Sequence, residues 1–221
     1  MFSYTFMKIL ESAPRRYDRG IGWLTFGHIE RVKQRIVQEL LEPGLKVCEI
    51  GCGTGTLALM LAKRGMTVFG FDASASMLEV AREKIAGEGF QDKIEVREIG
   101  AAEMDRKIPD AEFDAVVSTL VFSELSGDER RYALKHALRC LKPGGRLIIA
   151  DEVRPAKGWQ RLFYRMLKTP MAFITYVFTQ TNTRAVEDLP NLVSKAGFEI
   201  ETEEYNRLHS FALLTARKEE Q

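Results

Sequence analysis

The sequence carries almost no net charge and very few cysteines. Its 32 Lys and Arg residues against 31 Asp and Glu residues leave a net charge of +1. A balanced chain has no strong field to attract nucleic acid or an anionic membrane, so neither is predicted as a main partner. The three cysteines, Cys48, Cys52 and Cys140, indicate buried thiols in a reducing compartment. We therefore expect no metal centre and a cytoplasmic location.

Long apolar runs, repeats and low-complexity segments are also missing. The longest uncharged run, 169–183, has 15 residues, fewer than the ~20 that span a bilayer. No small-residue cleavage site follows the opening MFSYTFMKIL, so secretion is not expected. Glycine and proline are confined to short turns, which predicts a single domain over residues 1–221.

Two segments rich in aromatic residues interrupt the pattern. Residues 1–28 are predicted to form either a flap over a ligand or a helix packed on the edge of the domain. Residues 157–180 are interpreted as an inserted cap over the ligand pocket, with a helix lying on a membrane surface as the alternative. Any membrane contact would thus be peripheral.

The stretch KVCEIGCGTGTL, residues 46–57, is the main motif of the chain. A short apolar strand ends at Glu49-Ile50 and leads into a helix through Gly51, Gly53 and Gly55. Such a turn lets the main chain approach a nucleotide closely. The dinucleotide spacing G-x-G-x-x-G requires glycine where this chain has Thr56, and Glu49 would repel a diphosphate. A ligand with a cationic end is therefore favoured; a glycine-rich turn of another α/β protein is the alternative.

Asp72 closes the next predicted strand, 67–71, and lies 21 residues after Gly51. That is the length of one helix and a returning strand. The carboxylate is therefore predicted to reach the tip of the neighbouring strand and to accept both ribose hydroxyls. Capping the following helix is the alternative role.

Strands and helices alternate along most of the chain. Further strands are predicted at 94–99, 113–120 and 146–150, and a closing hairpin at 198–205 and 211–216. This rhythm predicts an α/β fold: a Rossmann-like, seven-stranded, mostly parallel sheet with an antiparallel last strand and helices on both faces. A sharp turn is expected at 142–145, and a helix at 185–196.

Five ordered segments resemble the motifs of class I S-adenosylmethionine (SAM) dependent methyltransferases. They are VCEIGCGTG, VFGFDASASML, IGAAE, FDAVVSTLVFSEL and LKPGGRLIIADE, and the resemblance covers about residues 29–217. Both flanks are similar to the ubiquinone/menaquinone C-methyltransferase family. The opening, with its RYDRGI, also resembles small methyltransferases encoded beside corrinoid proteins.

The resemblance implies SAM as cofactor and a role for each matching residue. Glu49 would hold the ammonium, Asp72 the ribose, and Met77 would lie along the adenine. Ala101 stands where family members often carry Asp or Asn, which leaves the adenine amino group without that acceptor. The implied cofactor contacts are Glu49, Gly51, Cys52, Gly53, Thr54, Gly55, Asp72, Ala73, Met77, Ala101, Ala102, Ser118 and Thr119.

The predicted reaction moves a methyl group to a small acceptor. The aromatic flap and cap favour a hydrophobic or aromatic molecule, and a quinone-type acceptor fits such a pocket. His28, Tyr17 and Asp18 are the candidates for a base, and Arg184 for steadying an anionic acceptor. His136 is expected to face outward from a surface helix, and His209 to lie in the hairpin loop. The rival hypothesis is a SAM-binding partner of a corrinoid protein without turnover of its own.

Overall fold

The computed structural model describes residues 14–25, 27–100, 103–155 and 185–220. The first half of the predicted flap, the Ala101-Ala102 pair, the predicted cap 157–180 and Arg184 lie outside the described residues.

The helices and strands of the described residues alternate through most of the chain. In order they are α1 (Pro14–Leu24), α2 (His28–Arg35, continued by a π-helical turn Ile36–Leu40), β1 (Lys46–Ile50), α3 (Thr56–Lys63), β2 (Thr67–Asp72), α4 (Ala75–Glu88), β3 (Ile94–Glu98), α5 (Met104–Lys107), β4 (Phe113–Thr119), α6 (Gly127–Cys140), β5 (Leu141–Glu152), α7 (Leu189–Lys195), β6 (Phe198–Tyr205) and β7 (Phe211–Lys218).

The seven strands form one sheet in the order β3-β2-β1-β4-β5-β7-β6. Strands β1 to β5 pair in parallel, whereas β7 runs antiparallel to both β5 and β6. The predicted Rossmann-like sheet with an antiparallel last strand is confirmed. Strand order reverses beside β1, so the carboxyl ends of β1, β2 and β4 surround the place where such sheets bind ligands.

The central strands are buried because helices cover both faces of the sheet. Four of the five residues of β1 are buried, as are five of the seven in β4. The helices α1, α2, α3 and α4 enclose one apolar cluster, and α5, α6 and α7 enclose the other. Continuous apolar strands of this kind are typical of a parallel sheet covered on both sides.

Strand β5 and helix α7 differ from their predictions. The predicted turn 142–145 is part of β5, which pairs Leu141 with Phe113 and then shifts register before Arg146 pairs with Ala115. Gly144 adopts a φ of +71°, so the irregularity is absorbed as a bulge rather than as a chain reversal. Helix α7 is shorter than predicted, because Val186 is bridged to Val153 before the helix begins.

The prediction that His136 faces outward is wrong. Its side chain is only 8% exposed, and its ring lies 4.2 Å from that of Tyr132. The Arg139 Nε donates to His136 Nδ1 over 3.1 Å. Helix α5 packs against this face of α6 and removes it from solvent, a contact that the periodicity of α6 alone could not indicate. His209 lies in the β6–β7 turn, as predicted, and stacks on Tyr205.

Buried thiols were expected, and Cys48, Cys52 and Cys140 are all buried. Within the ranges that the structure describes, no helix combines the length and the apolar character that crossing a membrane requires.

Candidate cofactor site

The loop between β1 and α3 is shaped by its glycines. The backbone N–H groups of Gly51 and Cys52 both donate to the Phe71 carbonyl of β2, over 2.8 and 2.9 Å. Gly51 has a φ of +70°, and a Cβ placed there would lie 2.2 Å from Val121 Cγ2. Any larger residue would therefore combine a disfavoured backbone conformation with a steric clash. The loop brings bare main chain to the carboxyl edge of the sheet.

Asp72, at the end of β2, is held by two backbone donors. Gly53 N donates to its Oδ2 over 2.9 Å, and Ser74 N donates to its Oδ1 over 2.8 Å. A carboxylate oxygen has two lone pairs, and a carboxylate is the type of acceptor that a pair of hydroxyls requires. The geometry fixes the direction of the carboxylate next to the glycine loop.

Glu49 is a buried acid, and one of its carboxylate oxygens has no partner among the described residues. The residue is 2% exposed, and its Oε2 has no hydrogen-bond partner among the described residues. The pKa of Glu49 is raised to about 8, chiefly by burial; the Lys33 ammonium and the Ala58 backbone N–H act against this rise, and the Asp72 carboxylate adds to it. A buried acceptor without a partner indicates a ligand that brings a donor.

A cavity of about 40 Å³ lies between the glycine loop and helices α1 and α2. This volume is far below the roughly 300–1,000 Å³ typical of small-molecule sites, so the cavity accounts for only one end of a cofactor. Its lining residues are Tyr17, Asp18, Ile21, Ile29, Lys33, Glu49, Gly51, Cys52, Gly53, Thr54, Thr56, Leu57, Thr119 and Leu120.

Asp18 of α1 ties that helix to the glycine loop. Its Oδ1 accepts from Thr54 Oγ1 over 2.8 Å and from Thr56 Oγ1 over 3.0 Å, while Lys84 Nζ donates to its other oxygen. Burial alone would raise the pKa of Asp18, but Lys84 and the two threonines outweigh it and lower that pKa below its ordinary value. Asp18 is thus an ionised anchor and a poor base.

We expect Asp18→Ala to loosen α1 without unfolding the sheet. Three groups contact the Asp18 carboxylate, and removing it leaves the Lys84 ammonium with only the hydroxyls of Thr54 and Thr56. Limited trypsin digestion should then cut faster after Arg15, Arg16 and Arg19. Glu83→Gln is the matched control, because it removes only the exposed ion pair with Arg15 on the same helix. Equal protection of both variants would contradict the anchor.

The two other candidate bases, Tyr17 and His28, line different cavities. Tyr17 lines the Glu49 cavity. His28 instead packs edge-on against Phe211, with ring centroids 5.0 Å apart, and lines a second cavity of about 280 Å³ beside the β6–β7 turn. Burial and the Arg31 charge lower the pKa of His28, and its Nε2 is buried without a partner among the described residues.

The remaining predicted contacts lie around the same edge of the sheet. Ser118 is fully buried and its Oγ donates to the Ile50 carbonyl over 3.4 Å, whereas Thr119 reaches the Glu49 cavity. Met77 is buried, and its Cε lies 3.4 Å from where a Cβ on Gly53 would stand. Ala73 is exposed beside Asp72. Ala101 and Ala102 lie outside the described residues.

Reasoning from the sequence did not identify Lys33 or Lys84. Lys33 lies on α2 and is only 9% exposed, and Lys84 lies on α4. The available signal was the position of Lys33 between the apolar residues Val32 and Ile36.

Similarity to known proteins decides the family. Residues 47–145 match the model of a methyltransferase domain. A demethylmenaquinone methyltransferase of Thermus thermophilus is 38% identical over 159 residues, which is 71% of this chain and 69% of that protein. The chain belongs to the class I SAM-dependent methyltransferases.

Two further comparisons agree with this membership. A phosphatidylethanolamine N-methyltransferase of Cereibacter sphaeroides is 33% identical over 67% of this chain and 72% of its own length. The solved structure of a SAM-dependent methyltransferase from Methanosarcina mazei, 21% identical, matches 84% of this methyltransferase and 98% of that chain with a TM-score of 0.65. At that identity the likeness shows the fold alone.

SAM is the cofactor of this methyltransferase, and the residues present fit it. Glu49 Oε2, which has no partner among the described residues, suits an ammonium, and the Asp72 carboxylate is the type of acceptor that suits a ribose diol. Gly51 and Gly53 are half-buried and place no side chain on the loop between them.

Proposed function

We propose that this enzyme methylates a carbon of a small aromatic acceptor of the quinol type. The observation that carries the proposal is the 38% identity, over 71% of the chain, to the T. thermophilus protein named for demethylmenaquinone.

We further propose how the chain holds SAM. Glu49 accepts from the ammonium of the methionyl end, Asp72 accepts from the ribose hydroxyls, and the loop from Gly51 to Gly55 lies along the chain between them. The other proposed contacts are Cys52, Thr54, Ala73, Met77, Ala101, Ala102, Ser118 and Thr119. Support comes from the positions of Glu49, Asp72 and Ser118 towards the carboxyl ends of β1, β2 and β4.

Bound SAM supplies a methyl group that its sulfonium makes strongly electrophilic. A bond from the acceptor carbon to the methyl forms while the sulfur–methyl bond breaks, its electron pair goes to sulfur, and the acceptor loses one proton. The task of the protein is to align the two reactants about 3–3.5 Å apart and to keep water away. Tyr17 and His28 remain the proposed groups for taking up the proton, Tyr17 from the cavity and His28 from beside Phe211.

A direct assay distinguishes the acceptor classes. The purified chain would be incubated with SAM and, separately, a reduced short-chain demethylmenaquinol, a simple catechol and a phosphatidylethanolamine vesicle, with methylated product detected by mass spectrometry. Methylation of the quinol on carbon supports the proposal. Turnover of phosphatidylethanolamine alone would overturn the acceptor class. No turnover of any acceptor, with SAM still bound, would favour the rival role as a partner of a corrinoid protein.

A further inference from the structure

Helix α2 forms part of the wall of two different cavities. Ile29 and Lys33 line the Glu49 cavity, whereas His28 and Val32 line the second cavity, beside the β6–β7 turn. Residues three and four apart lie on the same face of a helix, so the two cavities contact different faces of α2. The second cavity, of about 280 Å³, is close in volume to the smallest sites that hold small molecules, roughly 300 Å³.

The walls of the second cavity are rich in rings and apolar groups. His28 packs edge-on against Phe211 with ring centroids 5.0 Å apart, and Val32 and Leu213 add aliphatic surface. The ring of Tyr205, which is 39% exposed, lines the opposite wall from β6. Aromatic side chains around a space of this size favour a flat ring, which can contact them through its face or its edge.

His28 brings a polar atom to this cavity. Its Nε2 is buried and has no hydrogen-bond partner within the described part of the chain. Burial, assisted by the charge of Arg31, lowers the pKa of His28, so the ring is neutral at pH 7. A neutral imidazole has one N–H to donate. Because buried polar atoms are normally satisfied, this nitrogen indicates a ligand that brings a hydrogen-bonding group.

The second cavity also has one cation in excess. Arg35 is engaged by two carboxylates: its Nη2 donates to Glu204 over 2.6 Å and its Nε donates to Glu39 over 2.9 Å. Arg31, one helical turn away and exposed, has no such carboxylate in the ranges that the structure describes. Its charge acts on His28, since it contributes to the lowered pKa of that ring. The lining is therefore complementary to a single negative charge.

We propose that this cavity is a second ligand site, which binds a small aromatic monocarboxylate. The ring of the ligand lies among Phe211 and Tyr205, and its carboxylate accepts from His28 Nε2 and from the Arg31 guanidinium. The site is separate from the cofactor site and goes beyond the proposed function. A bound carboxylate also prevents His28 from taking up a proton, so methyl transfer in the filled state depends on Tyr17.

A pair of probes that differ only in charge isolates the carboxylate contact. 2-Naphthoate and 2-naphthamide have the same ring system and nearly the same shape, but only the first is an anion. The wild-type chain should bind 2-naphthoate about 3- to 30-fold more tightly than 2-naphthamide, as expected for a hydrogen-bonded charge at a partly exposed site. Isothermal titration calorimetry at pH 7, with neither SAM nor a methyl acceptor present, gives both dissociation constants.

Arg31→Met should remove most of this preference. The ratio of the two dissociation constants should fall below about twofold, while the affinity for 2-naphthamide stays within about twofold of the wild type. Arg207→Met is the matched control, because Arg207 is an exposed cation in the adjoining β6–β7 turn that does not line the cavity. It should keep the wild-type ratio.

The imidazole resonances show where the probe binds. The chain has three histidines, so a ¹⁵N spectrum of the side-chain nitrogens is simple to assign. Addition of 2-naphthoate should move the Nε2 resonance of His28 and leave those of His136 in place, because His136 is buried on α6, outside the cavity.

Four outcomes would overturn the proposal. They are no binding of 2-naphthoate, equal binding of the two probes, an Arg31→Met chain that keeps the wild-type ratio, and an unmoved His28 resonance. A loss of the ratio in Arg207→Met as large as in Arg31→Met would also contradict it, since the preference would then come from the general surface charge. Because these titrations contain no SAM, their failure leaves the proposed methyl transfer untouched.

Discussion

Asp72→Ala is expected to weaken the binding of S-adenosylhomocysteine by about 5- to 150-fold, equivalent to about 1–3 kcal/mol. The substitution removes the acceptor proposed for both ribose hydroxyls. It also frees Gly53 N and Ser74 N, which the carboxylate now holds at 2.9 and 2.8 Å. Isothermal titration calorimetry measures the loss.

Glu98→Gln is the control for that experiment. Glu98 pairs with Asp72 in register at the tip of the neighbouring strand, but its side chain is exposed. A 2′,3′-dideoxy analogue of the ligand separates the two functions of Asp72. If the carboxylate binds the hydroxyls, removing them and removing Asp72 should not be additive. Additive losses, or an unchanged affinity of Asp72→Ala, would contradict the ribose role.

Glu49→Gln is expected to remove the proton release that accompanies SAM binding. At pH 6.5 the wild-type carboxyl is mostly protonated, because burial raises its pKa to about 8. The ammonium of the ligand favours the ionised form, so binding should release nearly one proton, and affinity should increase up to tenfold per pH unit towards pH 8. Above that pH the ligand amine, with an ordinary pKa of about 8, loses its own charge.

Calorimetry in buffers of different ionisation enthalpy counts these protons. Asp151→Asn is the matched control. Asp151 is also a fully buried carboxyl with a raised pKa and an oxygen that has no partner in the described part of the chain, but it does not line the Glu49 cavity. The control should release protons as the wild type does. Wild-type affinity that is independent of pH between 6 and 8 would contradict the role of Glu49.

The same group has a defined effect on the stability of the ligand-free chain. Its pKa is about 8 in the folded state and near 4.5 when unfolded, so in this window the folded chain holds the proton more tightly. The free energy of unfolding contributed by Glu49 therefore falls as pH rises from 4.5 to 8, by up to about 1.36 kcal/mol per pH unit. In urea titrations, the free energy of unfolding of Glu49→Gln should increase relative to that of the wild type as the pH rises from 4.5 to 8. Other titrating groups are common to both chains and cancel.

The fold was predictable because its signals are local. Apolar runs bounded by glycine and alternating with amphipathic helices indicate a parallel sheet whatever the helices later contact. The start of β5 was missed, because Lys142 to Gly145 has the composition of a turn, and only pairing with Phe113 extends the strand through it. His136 was misplaced for a related reason, since α5 covers a face of α6 that its own sequence marks as polar.

The site was predictable only where strand ends define it. Glu49 and Asp72 come together because parallel neighbours bring their carboxyl ends to one edge, and the spacing of the glycines indicates the turn between them. Lys33, Asp18 and Lys84 lie on helices. The sequence pattern of a helix predicts which of its faces is buried, but not which strand end that face contacts. The full set of charged side chains around the site could therefore be identified only from the tertiary structure.

The position of β7 has a consequence for synthesis. It follows every other strand in the chain, yet it lies between β5 and β6, and its Phe211 supports His28 of α2. A ribosome that has made the chain only as far as Ser210 leaves β5 with an open edge, the kind of surface that recruits foreign strands. At that stage helix α2, which carries Lys33, also lacks the contact between His28 and Phe211. The nascent enzyme thus stays incomplete until almost all of the described sequence has emerged.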